Sequence, residues 1–183
     1  MGQEIRGDPG PQPAGSNIRE MVWNDELANV AQAWGNQCPR GRDCLPCRTL
    51  CSRDYVVGQN IFFAGAHNEE QMWSEAVEGW SEWVKDFNSS MVEKLAQSKP
   101  GSRSFIYTQL VWAETYEVGC GAIYFPMVVP QSDGSEKTYK ASRIYLCNYG
   151  PTGNYLNRPV YRIGEAATEC PNGVSNTYPA LCA

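Results

Sequence analysis

Four cysteines crowd one short segment, Cys38, Cys44, Cys47 and Cys51, spaced as C-x5-C-x2-C-x3-C. Thiolates at that density can hold zinc or pair with one another. Zinc ribbons separate two C-x2-C pairs widely, and the spacing here fits that pattern poorly. Two local disulfides are the better reading, with the pairing among the four left open. Cys120, Cys147, Cys170 and Cys182 bring the total to eight, an even number that points to an oxidising compartment.

Other chemistry is thin. Nucleophilic and acid–base catalysis need a positioned base, and the chain has one histidine, His67, in Ala64-Gly-Ala-His-Asn68. That stretch has loop character, and a lone loop histidine is more often solvated than catalytic. Glu75, Glu78 and Glu82 fall at i, i+3 and i, i+4 spacing, which makes a solvated acidic face rather than paired catalytic carboxylates. No enzyme is expected, and no cofactor. Arg6-Gly7-Asp8 places a cation and a carboxylate in a Gly/Pro-flanked loop, a setting suited to an integrin-type cell-surface receptor. Asn88-Ser89-Ser90 is the one N-glycosylation sequon, just past a helix end.

These residues need elements to position them. Residues 1–19 are Gly/Pro-rich and read as an extended lead-in outside the packed core. Asn24 is a candidate N-cap, with Asp25 and Glu26 in the first turn and Leu27, Val30, Ala31 and Trp34 at helical spacing behind it. Residues 38–57 are irregular. A second helix is expected from about Glu70 to Phe87, with Trp73, Val77, Trp80, Val84 and Phe87 on one face; Gly79 weakens it without ending it. Strands are expected at Val118–Met127 and Thr138–Tyr149, joined by a turn at Gln131-Ser-Asp-Gly-Ser135. Helices first and a hairpin second suggest a sheet covered by helices. A net charge of −5 argues against non-specific nucleic-acid binding, and no apolar run is long enough to span a membrane.

Tyr145-Leu-Cys-Asn-Tyr-Gly-Pro-Thr-Gly-Asn-Tyr-Leu-Asn-Arg-Pro-Val-Tyr161 is the most specific string in the chain, a strand running into a sharp Gly/Pro turn. It resembles the C-terminal signature of the CAP superfamily, which comprises the cysteine-rich secretory proteins, the antigen 5 proteins and the plant pathogenesis-related 1 proteins. Ser104-Phe-Ile-Tyr-Thr-Gln-Leu-Val-Trp112, Val118-Gly-Cys-Gly121, Gly58-Gln-Asn-Ile61 and the segment from Met21 to Cys38 are similar to other family segments, in the family's order. Arg6-Gly-Asp-Pro-Gly-Pro-Gln-Pro13 resembles the lead-in of the antigen 5 branch.

The resemblance implies an α+β fold, a disulfide-stapled three-layer α-β-α sandwich with a small antiparallel sheet. It divides the chain into the lead-in (1–19), the CAP domain (20–165) and a C-terminal extension (166–183). It further implies a Cys120–Cys147 disulfide, which leaves Cys170 and Cys182 to close a C-terminal loop. Many relatives have a cavity lined by two His and two Glu that can hold a divalent metal. Carried over residue by residue, that tetrad fails: Gln59 stands at one Glu, Trp83 at the other and Ile106 at a His. The remaining His would fall near Arg48 or Thr49. The expectation is a secreted, metal-free, non-enzymatic protein of venom, saliva or parasite secretion that binds a small lipid such as a sterol, fatty acid or eicosanoid. Receptor or integrin antagonism through Arg6, Gly7 and Asp8 is the alternative, and a metal-dependent hydrolase ranks below both. Met1 reads as an added start on a mature or shortened chain, with the family's first helix expected upstream of Gln3.

Overall fold

The computed structural model describes residues 4–65 and 73–183. Asn24 Oδ1 accepts from the backbone N–H of Glu26 at 2.9 Å and of Leu27 at 3.1 Å, starting α1 (Asp25–Gly35). Asp25 and Glu26 sit in its first turn, where the helix dipole favours carboxylates. Leu27 and Ala31 are fully buried, while Val30 and Trp34 pack beside them half-buried.

Four strands form one sheet: β1 (Val22–Trp23), β2 (Gly58–Ala64), β3 (Glu117–Pro130) and β4 (Glu136–Gly150), in the order β1-β3-β4-β2. The two main pairings, β3 with β4 and β4 with β2, are antiparallel, and the two-residue β1 lies parallel to β3. The β3–β4 hairpin closes through Gln131 N–H to Ser135 O and Gly134 N–H to Gln131 O. Alternation along the strands splits the core. Ile144 and Leu146 pack under α1 with Ala31, whereas Tyr145, Cys147 and Tyr149 face Ala76 and Trp80 on the other side. Helices therefore cover both faces, an α+β sandwich. Gly119 and Gly121 let α1 lie directly on β3: a β-carbon at Gly121 would fall 2.7 Å from Gln32 Cα.

The second face is closed by α2 (Trp73–Ser81) and α3 (Ser104–Leu110). The single helix expected over 70–87 differs in two ways. Its start lies outside the described residues, as does His67, and after Ser81 it tightens into a 3-10 segment, Glu82–Asp86. Trp80, Val84 and Phe87 are buried, but Trp73 and Val77 are exposed, because the face that α2 turns inward runs through Ala76 and Trp80. Gly79 serves packing, since a β-carbon there would fall 2.2 Å from the Phe62 ring.

Three disulfides are formed: Cys44–Cys47, Cys120–Cys147 and Cys170–Cys182. Cys120 and Cys147 are directly opposed in the β3–β4 register. The dense segment corrects the expectation of two local bridges. Cys44 and Cys47 are brought to a Cα separation of 5.1 Å by the 3-10 turn Leu45–Arg48, while Cys38 and Cys51 keep free, exposed thiols. Leu50, buried at the turn's end, anchors the backbone inward and leaves Cys51 facing solvent.

The lead-in is extended but does not lie outside the core. Gln12 and Ser16 are buried, and Ser16 N–H donates to Arg162 O at 2.8 Å while Gly164 N–H donates to Ala14 O at 3.0 Å. The C-terminal segment runs alongside it: Cys182 N–H donates to Ile18 O and Glu20 N–H to Cys182 O, each at 2.8 Å. Proline and glycine prevent regular structure in the lead-in, but its remaining amides still need partners, and the C-terminal segment supplies them.

Candidate functional site

The three positions where family ligands would stand gather around the outer edge of the sheet, where no further strand among the described residues pairs with β2. Gln59 and Asn60 are neighbours on β2 and point to opposite faces. The Gln59 side chain is committed at both ends: Oε1 accepts from Asp43 N–H at 3.1 Å and Nε2 donates to Asn148 Oδ1 at 2.9 Å. Asn60 Nδ2 donates to the Ile106 carbonyl at 3.0 Å, tying β2 to α3. Ile106 lies on α3 against the Trp80 cluster. Trp83, in the 3-10 segment after α2, carries the Arg103 guanidinium 5.0 Å from its ring and the Lys85 ammonium at 5.2 Å.

Arg48, near the expected place of the remaining histidine, is buried. Its guanidinium pairs with the Asp43 carboxylate and donates to Val57 O at 2.8 Å. It therefore braces the loop that carries Cys44 and Cys47 and offers no lone pair to a metal.

Two cavities meet at Ile106. One, of about 400 Å³, wraps the β2 edge and is lined by Gln59, Asn60, Ile61, Phe63, Phe105 and Ile106, with Arg40, Arg42, Ser102 and Arg103 around it. The other, of about 240 Å³, lies over Trp80 and Trp83 and shares Ile61, Phe63, Arg103 and Ile106 with the first. Phe63 is 49% exposed at their junction. A larger depression of about 640 Å³ lies between the lead-in and the C-terminal segment, lined by Ala14, Ile163, Gly164, Ala166, Pro179 and Ala180 with Glu165 as its one charge. It brings no set of polar groups together, so the β2-edge cleft is the stronger candidate.

An indole, an alkyl chain and an amide already bonded at both ends do not make a zinc site. Among the described residues, no three His, Cys, Asp or Glu side chains come close enough to hold a metal. Protein dialysed against micromolar zinc is expected to retain no stoichiometric metal at this cleft. One equivalent held at neutral pH, and lost on replacing Gln59 or Asp43, would overturn that.

The most strongly perturbed carboxylate lies elsewhere. Arg53 donates two bonds to Glu117 and holds its pKa down at about 2, against the upward push of burial, with Tyr55 and Asn24 adding further donors. This network ties the cap of α1 to the start of β3, a structural task. Glu75 and Glu82 are not a free acidic face, since Arg143 pairs with Glu75 at 3.0 Å and Arg6 with Glu82. Arg6 is also held by Glu4 at 2.7 Å, and the more exposed Asp8 by Lys99 at 3.0 Å. The Arg6-Gly7-Asp8 turn is thus fastened to the body, with Gln12 Nε2 donating to the Arg6 carbonyl. Asn88 caps the short 3-10 turn Ser89–Met91, its Oδ1 accepting from Ser90 N–H. No helix among the described residues is long and apolar enough to cross a membrane.

Comparison with known proteins agrees with this architecture. The family model for the cysteine-rich secretory protein family, CAP, matches residues 3–149. Venom allergen 5 of Polistes gallicus is 42% identical over 162 residues, 88% of this chain and 70% of that protein. Venom allergen 5 of Polistes dominula is 42% identical over 161 residues, 87% of this chain, which spans 63% of that relative's length. Among solved structures, NaASP2 with Zn2+ superposes at a TM-score of 0.71 with 24% identity, covering 100% of this chain and 86% of that one. BmVAL-1 gives a TM-score of 0.70 with 23% identity, covering 93% and 79%. At such identities the likeness to these structures is one of fold.

Proposed function

The chain belongs to the cysteine-rich secretory protein (CAP) family, and on that premise we propose that it is a secreted, non-enzymatic protein that binds a small hydrophobic ligand. Relatives named as venom allergens and a disulfide-stapled fold support secretion. The observation that carries the binding reading is the β2-edge cleft. Where family ligands would stand, Ile106 and Trp83 instead join Ile61, Phe63 and Phe105 in an apolar floor that opens to solvent. A sterol, fatty acid or eicosanoid fits that chemistry.

A fluorescent sterol or fatty acid is expected to bind with micromolar or tighter affinity, about −8 kcal/mol or better. Chelators should leave that binding unchanged, and Ile106→Asp should abolish it. No binding by any such probe, together with empty organic extracts of protein from its native source, would sink the reading. Receptor binding through Arg6, Gly7 and Asp8 is the second reading, favoured by Asp8, whose side chain is 62% exposed at a turn. In that case Asp8→Ala removes cell adhesion and leaves probe binding intact.

A further inference from the structure

The cleft has a second property that an apolar floor does not explain. The guanidinium-bearing residues Arg40, Arg42 and Arg103 all line its larger cavity, where no carboxylate stands among the described residues; Glu82 lines only the smaller one and is paired with Arg6. This concentration of positive charge stands on a chain whose net charge is −5. The other arginines are largely committed: Arg6, Arg48, Arg53, Arg143 and Arg162 each pair with a carboxylate. Among the described residues, Arg40 and Arg42 take part in no ion pair and no side-chain hydrogen bond. They follow α1 on one side of the β2 edge, while Arg103 precedes α3 on the other. Arg103 is steadied over the Trp83 ring and lines both cavities. Three arginines therefore line one trough from two separate parts of the chain.

Given a cleft that takes a small hydrophobic ligand, which is the reading above, the geometry points to an anionic amphiphile as that ligand. Its carboxylate, sulfate or phosphate head sits among Arg40, Arg42 and Arg103, and its tail lies on Ile61, Phe63 and Ile106. A guanidinium presents a planar fork of donors that matches the paired oxygens of such heads. The floor beside it keeps bulk water from one side of the contact, which strengthens the attraction over that of a fully solvated pair. Because Arg40 and Arg42 hold nothing else in place, their charge is available to a ligand without loss to the fold.

The test compares hexadecanoate with hexadecanol, which share a tail and differ in charge, on the full chain by calorimetry at pH 7.4. Hexadecanoate is expected to bind about tenfold more tightly or better. In Arg40→Gln/Arg42→Gln that advantage should fall by about tenfold, the scale of two solvent-exposed charge contacts, and Arg40→Lys/Arg42→Lys should recover part of it. Raising salt should weaken hexadecanoate and leave hexadecanol unchanged. The unfolding temperature of each variant, unchanged, shows that the fold is intact. Equal binding of acid and alcohol to the wild-type protein overturns the anionic head and leaves the apolar reading standing. Failure of both to bind overturns the two together. Inorganic sulfate binding as tightly as hexadecanoate overturns the amphiphile in favour of a site for the free anion.

Discussion

Gly119→Ala is expected to destabilise the protein by about 3 kcal/mol, roughly 10 °C in melting temperature. The new β-carbon would fall 2.2 Å from Ala28 N, 2.4 Å from Asn24 O and 2.7 Å from Leu27 C. All three are backbone atoms of the cap and first turn of α1, so no side chain can swing aside. The helix must lift from β3, which loosens Leu27 and Ala31, both fully buried, and pulls Asn24 from Glu117. Gly41→Ala is the control, because a β-carbon there meets nothing within 4 Å, and it should be near neutral. Thermal unfolding followed by circular dichroism reads both. A loss at Gly119 no larger than at Gly41 would mean that α1 can slide over the sheet.

Cys120→Ala with Cys147→Ala is expected to cost about 3–4 kcal/mol, the chain-entropy value for a bridge closing a loop of this length. The bridge spans 27 residues and joins partners already opposed in the sheet. Forming it therefore asks little of the folded state and restricts the unfolded chain. Cys44→Ala with Cys47→Ala, a bridge across only 3 residues, should cost clearly less. Denaturant unfolding of the two double variants decides the matter. If the short bridge proves the more stabilising, loop entropy is not what the long one contributes.

Elements set by local chemistry were legible in the sequence. Asn24 with its apolar stripe marks α1, and Ser-Asp-Gly inside two alternating runs marks the hairpin. The edge strand β2 was not legible. Gly58-Gln-Asn-Ile-Phe-Phe-Ala mixes buried amides with apolar residues, because Gln59 and Asn60 bond to opposite layers, so no alternation shows. Trp73 and Val77 read as core because they share helical spacing with Trp80, whereas the face that α2 buries runs through Ala76 and Trp80. The tetrad substitutions Gln59, Trp83 and Ile106 could be located from the family pattern. Their arginine neighbours could not, since Arg40 and Arg103 are far apart in the chain and only the fold brings them to one trough.

The way the two ends of the chain hold each other bears on survival outside a cell. Cys182 hydrogen-bonds to the backbone on both sides of Arg19 and is covalently joined to Cys170. A protease that cuts the exposed stretch between Cys170 and Cys182 does not free the last residues. They stay attached through sulfur and keep their place beside the lead-in, against Ile18 and Glu20. Such a nick passes unseen on a non-reducing gel and shows only after reduction.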